Sequence, residues 1–135
     1  MHKSAGKKIV FLLAGTMLLA AGYMMGQQSA TTQKSLLHVF AYTPVDSATP
    51  QDFSNFKKAT GDLVGKVPGL RRVWVGKLRA PIPAGSERRV YGVGMEFDDV
   101  QALRVYADHP AHDAWIEAYN KVRVPGTTTL DIIGE

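Results

Sequence analysis

Apolar positions fall along this chain in one solid block followed by shorter alternating and helical patterns. Ile9 to Ala21 carries no charge and is mostly apolar, behind a short basic stretch with Lys3, Lys7 and Lys8. This is the n-region and h-region of a secretory signal, and Ala20-Ala21-Gly22 supplies small residues for cleavage. The apolar run extends to Met25, roughly 17 residues and the lower limit for spanning a bilayer. Residues 1–26 are therefore expected to be a signal peptide or an N-terminal membrane anchor. The lysines would hold that end in the cytoplasm and send the rest across. The protein is then exported, either periplasmic or extracellular, or held in the membrane by residues 9–25. Residues 27–35 are polar and read as a linker, which leaves residues 36–135 as the folded domain.

Within that domain Leu36–Tyr42 is β-prone, with His38, Phe40 and Tyr42 on one face and Leu37, Val39 and Ala41 on the other. Thr49-Pro50-Gln51-Asp52 starts a helix: threonine as cap, proline at the first helical position, an acid at the positive end of the dipole. Phe53, Phe56, Leu63, Val64 and Val67 continue at helical spacing, and Pro68-Gly69 predicts the stop. Leu70–Leu78 reads as a second strand and Arg88–Phe97 as a third, joined by a Pro/Gly-rich connection over 79–87. Gly92 and Gly94 share a face of the third strand and leave room for a close helix or a ligand.

Asp98 and Gln101 have capping-box spacing for a second helix, with Val100, Leu103, Tyr106 and Ala107 facing inward. Pro110 interrupts that helix and starts a third, with His109 as cap and His112, Trp115, Ile116 and Tyr119 on one face. Residues 127–133 form the last strand. The order β-α-β-β-α-β is the α+β, ferredoxin-like pattern. A single sheet with helices on one side leaves its other face bare, with Phe40 and Trp74 expected there. A monomer does not leave such a patch in water cheaply, so a homodimer is expected.

Composition changes this picture little. The formal charge is +4, but without Lys3, Lys7 and Lys8 the count is 13 basic against 12 acidic residues. A near-neutral domain carries no footprint for nucleic acid. With no cysteine, disulfides, thiolate metal sites, a cysteine nucleophile and a lipoprotein anchor are excluded. No phosphate loop, nucleophile elbow or paired-carboxylate motif occurs. No cofactor is expected, and His38, His109 and His112 lack the spacing of a metal site.

Candidate chemistry concentrates in Tyr106-Ala107-Asp108-His109-Pro110-Ala111-His112. Tyr106 and His112 project inward from the two helices, while His109 and Pro110 shape the junction. His112 is a candidate general acid/base and Tyr106 a donor to an oxyanion. The alternative is that His112 is part of a buried pair tying helix to sheet. His38 is either a satisfied core histidine or a ligand contact.

The same stretch, together with Leu37-His38-Val39-Phe40, Val67-Pro68-Gly69, Gly92 to Asp99 and Ala102-Leu103, resembles the Dabb family of stress-responsive dimeric A/B barrels. The resemblance covers Ser35 to Asp131. It implies a ferredoxin-like fold and a homodimeric α/β barrel, without implying one reaction. The fold, its apolar inner face and the leader add the expectation of a small molecule bound in the barrel. In a plant polyketide cyclase of the family, the tyrosine and second histidine matching Tyr106 and His112 act on substrate. The aspartate matching Asp131 supports that histidine. This gives a second expectation, a lyase or cyclase acting on a polyketide-like or aromatic substrate with His112 as acid/base. Tyr91 stands where that cyclase has a pocket histidine, so its substrate does not carry over. His38 and Tyr91, by that match, and Phe40 and Trp74, by their place on the sheet, are the candidate ligand contacts.

Overall fold

The computed structural model describes residues 34–135; the leader and most of the linker, residues 1–33, lie outside the described residues. Four antiparallel strands, β1 (Leu36–Tyr42), β2 (Leu70–Ala84), β3 (Glu87–Phe97) and β4 (Thr128–Ile133), form one sheet in the order β2-β3-β1-β4. Helices α1 (Pro50–Gly61), α2 (Val100–Ala107) and α3 (Pro110–Asn120) complete the ferredoxin-like α+β fold.

The start of α1 is as the sequence implies. Thr49 and Asp52 form a reciprocal capping box: Asp52 N–H donates to Thr49 Oγ1 at 3.1 Å, and Thr49 N–H donates to Asp52 Oδ2 at 2.9 Å. Its end is earlier than Pro68-Gly69 suggested. The chain leaves the helix at Asp62 and passes through turns with Gly65 at φ 87°. Leu63 and Val67 are still buried, so the hydrophobic spacing is satisfied without helix.

The connection expected over 79–87 is instead mostly strand. β2 runs to Ala84 and turns at Gly85, φ 64°, into β3. Pro81 and Pro83 are tolerated because β2 is a sheet edge, where a missing N–H breaks no interior ladder. A register shift between Lys77 and Ile82 absorbs the irregularity. The cap of α2 also moves by one residue. Asp99, not Asp98, accepts from Ala102 N–H at 2.8 Å, while Asp98 pairs with Arg71.

Cross-strand register sorts the two faces. His38, Phe40 and Tyr42 oppose Met95, Val93 and Tyr91 and turn toward the helices. There Phe40, Tyr42, Phe56, Phe97, Trp115 and Tyr119 build an aromatic core. Phe40 is therefore buried under the helices and does not lie on the bare face. That face carries Val39, Trp74, Leu130 and Ile132; the last three are 49%, 47% and 54% exposed. Side chains of β2, and not a helix, pack against the β3 glycines. The Trp74 ring lies over Gly94 and the Leu78 side chain over Gly92, where an added Cβ would stand 3.2 Å and 2.8 Å from them.

Candidate functional site

A cavity of about 390 Å³ opens between the sheet and the α2–α3 pair. It lies on the helix side of the sheet, so it is not the space that a second facing sheet would enclose. Its two ends differ chemically. His38, Tyr106 and His112 meet at one end; Arg123, Thr127 and Thr129 line the other, with Phe40, Trp115 and Tyr119 between them.

The histidine end is built by the α2–α3 junction. His109 caps α3, its Nδ1 accepting from Ala111 N–H at 3.1 Å, and Pro110 takes the first helical position. The break turns Tyr106 and His112 onto each other, with ring centroids 4.3 Å apart. His112 Nδ1 lies 3.2 Å from the Ala107 carbonyl, which can only accept, so this nitrogen carries a proton. The His112 ring stacks on Trp115 at 5.7 Å. Trp115 is held from behind: its indole N–H donates to Thr60 Oγ1 at 2.9 Å, and the Thr60 hydroxyl donates to the Phe56 carbonyl at 2.8 Å. Burial pushes the Tyr106 phenol well above its usual range, which keeps it a neutral donor near pH 7.

Asp131 is placed differently from the expectation that it supports His112. Strand register sets Asp131 directly opposite His38, and its carboxylate lies 2.6 Å from His38 Nδ1. The carboxylate assigns a proton to Nδ1 and fixes the orientation of the ring. The supported histidine is therefore the one on β1. Trp74 and Tyr91 do not join the cavity. Trp74 is on the opposite face of the sheet. Tyr91 stacks on Tyr42 and Phe53 under α1, with centroids at 5.7 and 5.4 Å. Of the four candidate ligand contacts, His38 and Phe40 alone line the cavity.

Arg123, Thr127 and Thr129 were not singled out in the sequence. For Arg123 a signal existed: positions 112, 115, 116, 119 and 123 continue one helical stripe. Its guanidinium sits 4.3 Å over the Tyr119 ring and donates to Asn120 Oδ1 through Nε and Nη2, at 3.1 and 2.8 Å. Among the described residues no group of three or more His, Asp or Glu is placed to hold a metal ion.

The profile of the Stress Responsive A/B Barrel Domain (Dabb) matches residues 36–132. No curated protein matches the chain. Among solved structures, the chain is similar to a dimeric ferredoxin-like protein of unknown function from Jannaschia sp. CCS1 (27% identity, TM-score 0.54, covering 73% of this chain and 97% of that one). It is similar to a Dabb family protein with a ferredoxin-like fold from Mesorhizobium loti (19%, TM-score 0.59, covering 76% and 99%). It also resembles the hydroxynitrile lyase from Passiflora edulis (10%, TM-score 0.63, covering 76% and 95%).

Proposed function

Because the chain belongs to the Dabb family of stress responsive A/B barrel domains, we propose that it is an exported, homodimeric binding protein for a small molecule. The observation that carries this reading is the cavity: aromatic walls, with three titratable side chains converging at one end. Dimerisation is supported by the apolar strip of Trp74, Leu130 and Ile132, a patch that a monomer does not leave in water. The dimeric description of the Jannaschia protein points the same way. Export rests on the leader pattern in residues 1–26. The test is calorimetric screening of the purified protein against small aromatic and aliphatic acids, alcohols and ketones, repeated on Phe40→Ala. Binding that weakens in the variant supports the reading; absence of any binder refutes it. Recovery of the protein only from the cytoplasmic fraction would sink the export part.

The His38–Asp131 pair favours a second reading, a lyase or cyclase acting on an aromatic or polyketide-like substrate. In it Nε2 of His38 takes a proton next to a carbonyl, the neutral Tyr106 phenol donates to the developing oxyanion, and His112 serves as the second acid/base. The hydroxynitrile lyase shows that the fold can host lyase chemistry. His38→Ala and His112→Ala separate the readings: stable variants that have lost turnover support catalysis, and a wild type inert toward such substrates leaves binding alone.

A further inference from the structure

The far end of the cavity is cationic without a counter-ion. Arg123 has a neutral partner, Asn120, and no carboxylate occurs among the described residues that line the cavity. A second guanidinium stands behind the same end. Arg89 is 8% exposed and donates to Thr43 Oγ1 at 3.0 Å, its Nε has no hydrogen-bond partner, and its Nη2 approaches Gly126, next to the lining Thr127. Neither arginine forms an ion pair among the described residues. A buried arginine is ordinarily paired. Both guanidiniums bear electrostatically on the Tyr119 phenol, whose hydroxyl is also buried without a partner. Asp131, two residues beyond the lining Thr129, is tied to His38 at the opposite end.

Resting on the binding reading above, we infer that the ligand is a planar aromatic monoanion bound end to end, with its carboxylate at Arg123, Thr127 and Thr129, its ring against Trp115 and Phe40, and a hydroxyl or carbonyl at His38, Tyr106 and His112. The Arg123 N–H groups not taken by Asn120 and the two threonine hydroxyls are donors suited to a carboxylate. The ring walls are edge and face partners for a flat ring. The length also fits: seven residues of helix separate His112 from Tyr119, about 10 Å at the helical rise, the scale of one ring with a short acidic arm. Arg123 is then the residue that selects for charge, while the histidine end reads the distal polar group.

The test titrates 4-hydroxycinnamate, its methyl ester and the neutral probe N-phenyl-1-naphthylamine into the full chain by calorimetry, on wild type, Arg123→Gln and Arg123→Lys. The acid is expected to bind at least about tenfold more tightly than the ester to wild type, as for a charge-assisted contact. That preference should fall to within about twofold in Arg123→Gln, and part of it should remain in Arg123→Lys, which keeps the charge but not the fork. Equal binding of acid and ester to wild type, or an unchanged preference in Arg123→Gln, overturns the anion assignment. Binding of the neutral probe alone also overturns it while leaving the cavity reading intact. No binding of any of the three overturns both. The wild-type comparison alone decides the matter should Arg123→Gln fail to fold.

Discussion

Thr60 is buried in α1 with no exposed surface, and its single hydroxyl serves two helices: it accepts from the Trp115 indole and donates to the Phe56 carbonyl. Thr60→Val keeps the shape and the β-branching but removes the hydroxyl. The Phe56 carbonyl still belongs to the helix ladder, so the indole N–H is the group left buried without a partner. Such a donor costs about 1–3 kcal/mol, a fall in Tm of roughly 5–20 °C for a domain of this size. Urea unfolding at fixed protein concentration measures it, because association would otherwise change the apparent stability. The penalty should shrink to under about 0.5 kcal/mol in a Trp115→Phe background, where no indole needs satisfying. Wild-type stability for Thr60→Val, or an equal loss in both backgrounds, would refute the claim that this bond fixes the cavity wall.

Four further outcomes follow from the same geometry. Ile132→Asp places a charge on the bare sheet face and should convert a dimer to a monomer by light scattering, with the far-UV spectrum unchanged. Gly69 has φ 79°, and a Cβ there would sit 2.5 Å from the Ala102 Cβ; Gly69→Ala should lose about 2–4 kcal/mol by denaturant titration, from backbone strain plus overpacking. Burial raises the phenols of Tyr42, Tyr106 and Tyr119 above their ordinary 10.0. Their stabilisation is complete below pH 10 and is lost as pH rises through the unfolded value toward the folded one, by up to about 1.4 kcal/mol per pH unit for each tyrosine; tyrosinate absorbance should appear together with unfolding. Asp131→Ala should shift the His38 tautomer away from Nδ1–H in nitrogen NMR and leave His112 unmoved.

The sheet and helices were legible because their signals are local. The Thr49-Pro50-Gln51-Asp52 start and the His109-Pro110 junction are carried by caps and fixed φ angles, and both stand where the sequence puts them. The failures have local causes as well. Pro81 and Pro83 read as loop because proline breaks a ladder, and only knowledge that β2 is an edge strand removes that objection. Leu63 and Val67 kept helical spacing after the helix had ended, since turns can deliver the same inward side chains.

Asp131 shows why the site was harder to read than the fold. Alternation puts Asp131, Thr129 and Ile133 on one face of β4, but which histidine the carboxylate meets depends on the register of β4 against β1, a non-local quantity. A slip of one residue would turn Asp131 to the opposite face; a slip of two would carry it past His38 to another neighbour. The observed register places it across from His38, so the charged support belongs to the strand and His112 is held by the Ala107 carbonyl and Trp115. The cavity therefore has one histidine fixed by a carboxylate and one fixed by backbone and stacking. The two imidazoles therefore differ in what orients them, and removing the Asp131 carboxylate loosens the strand histidine alone.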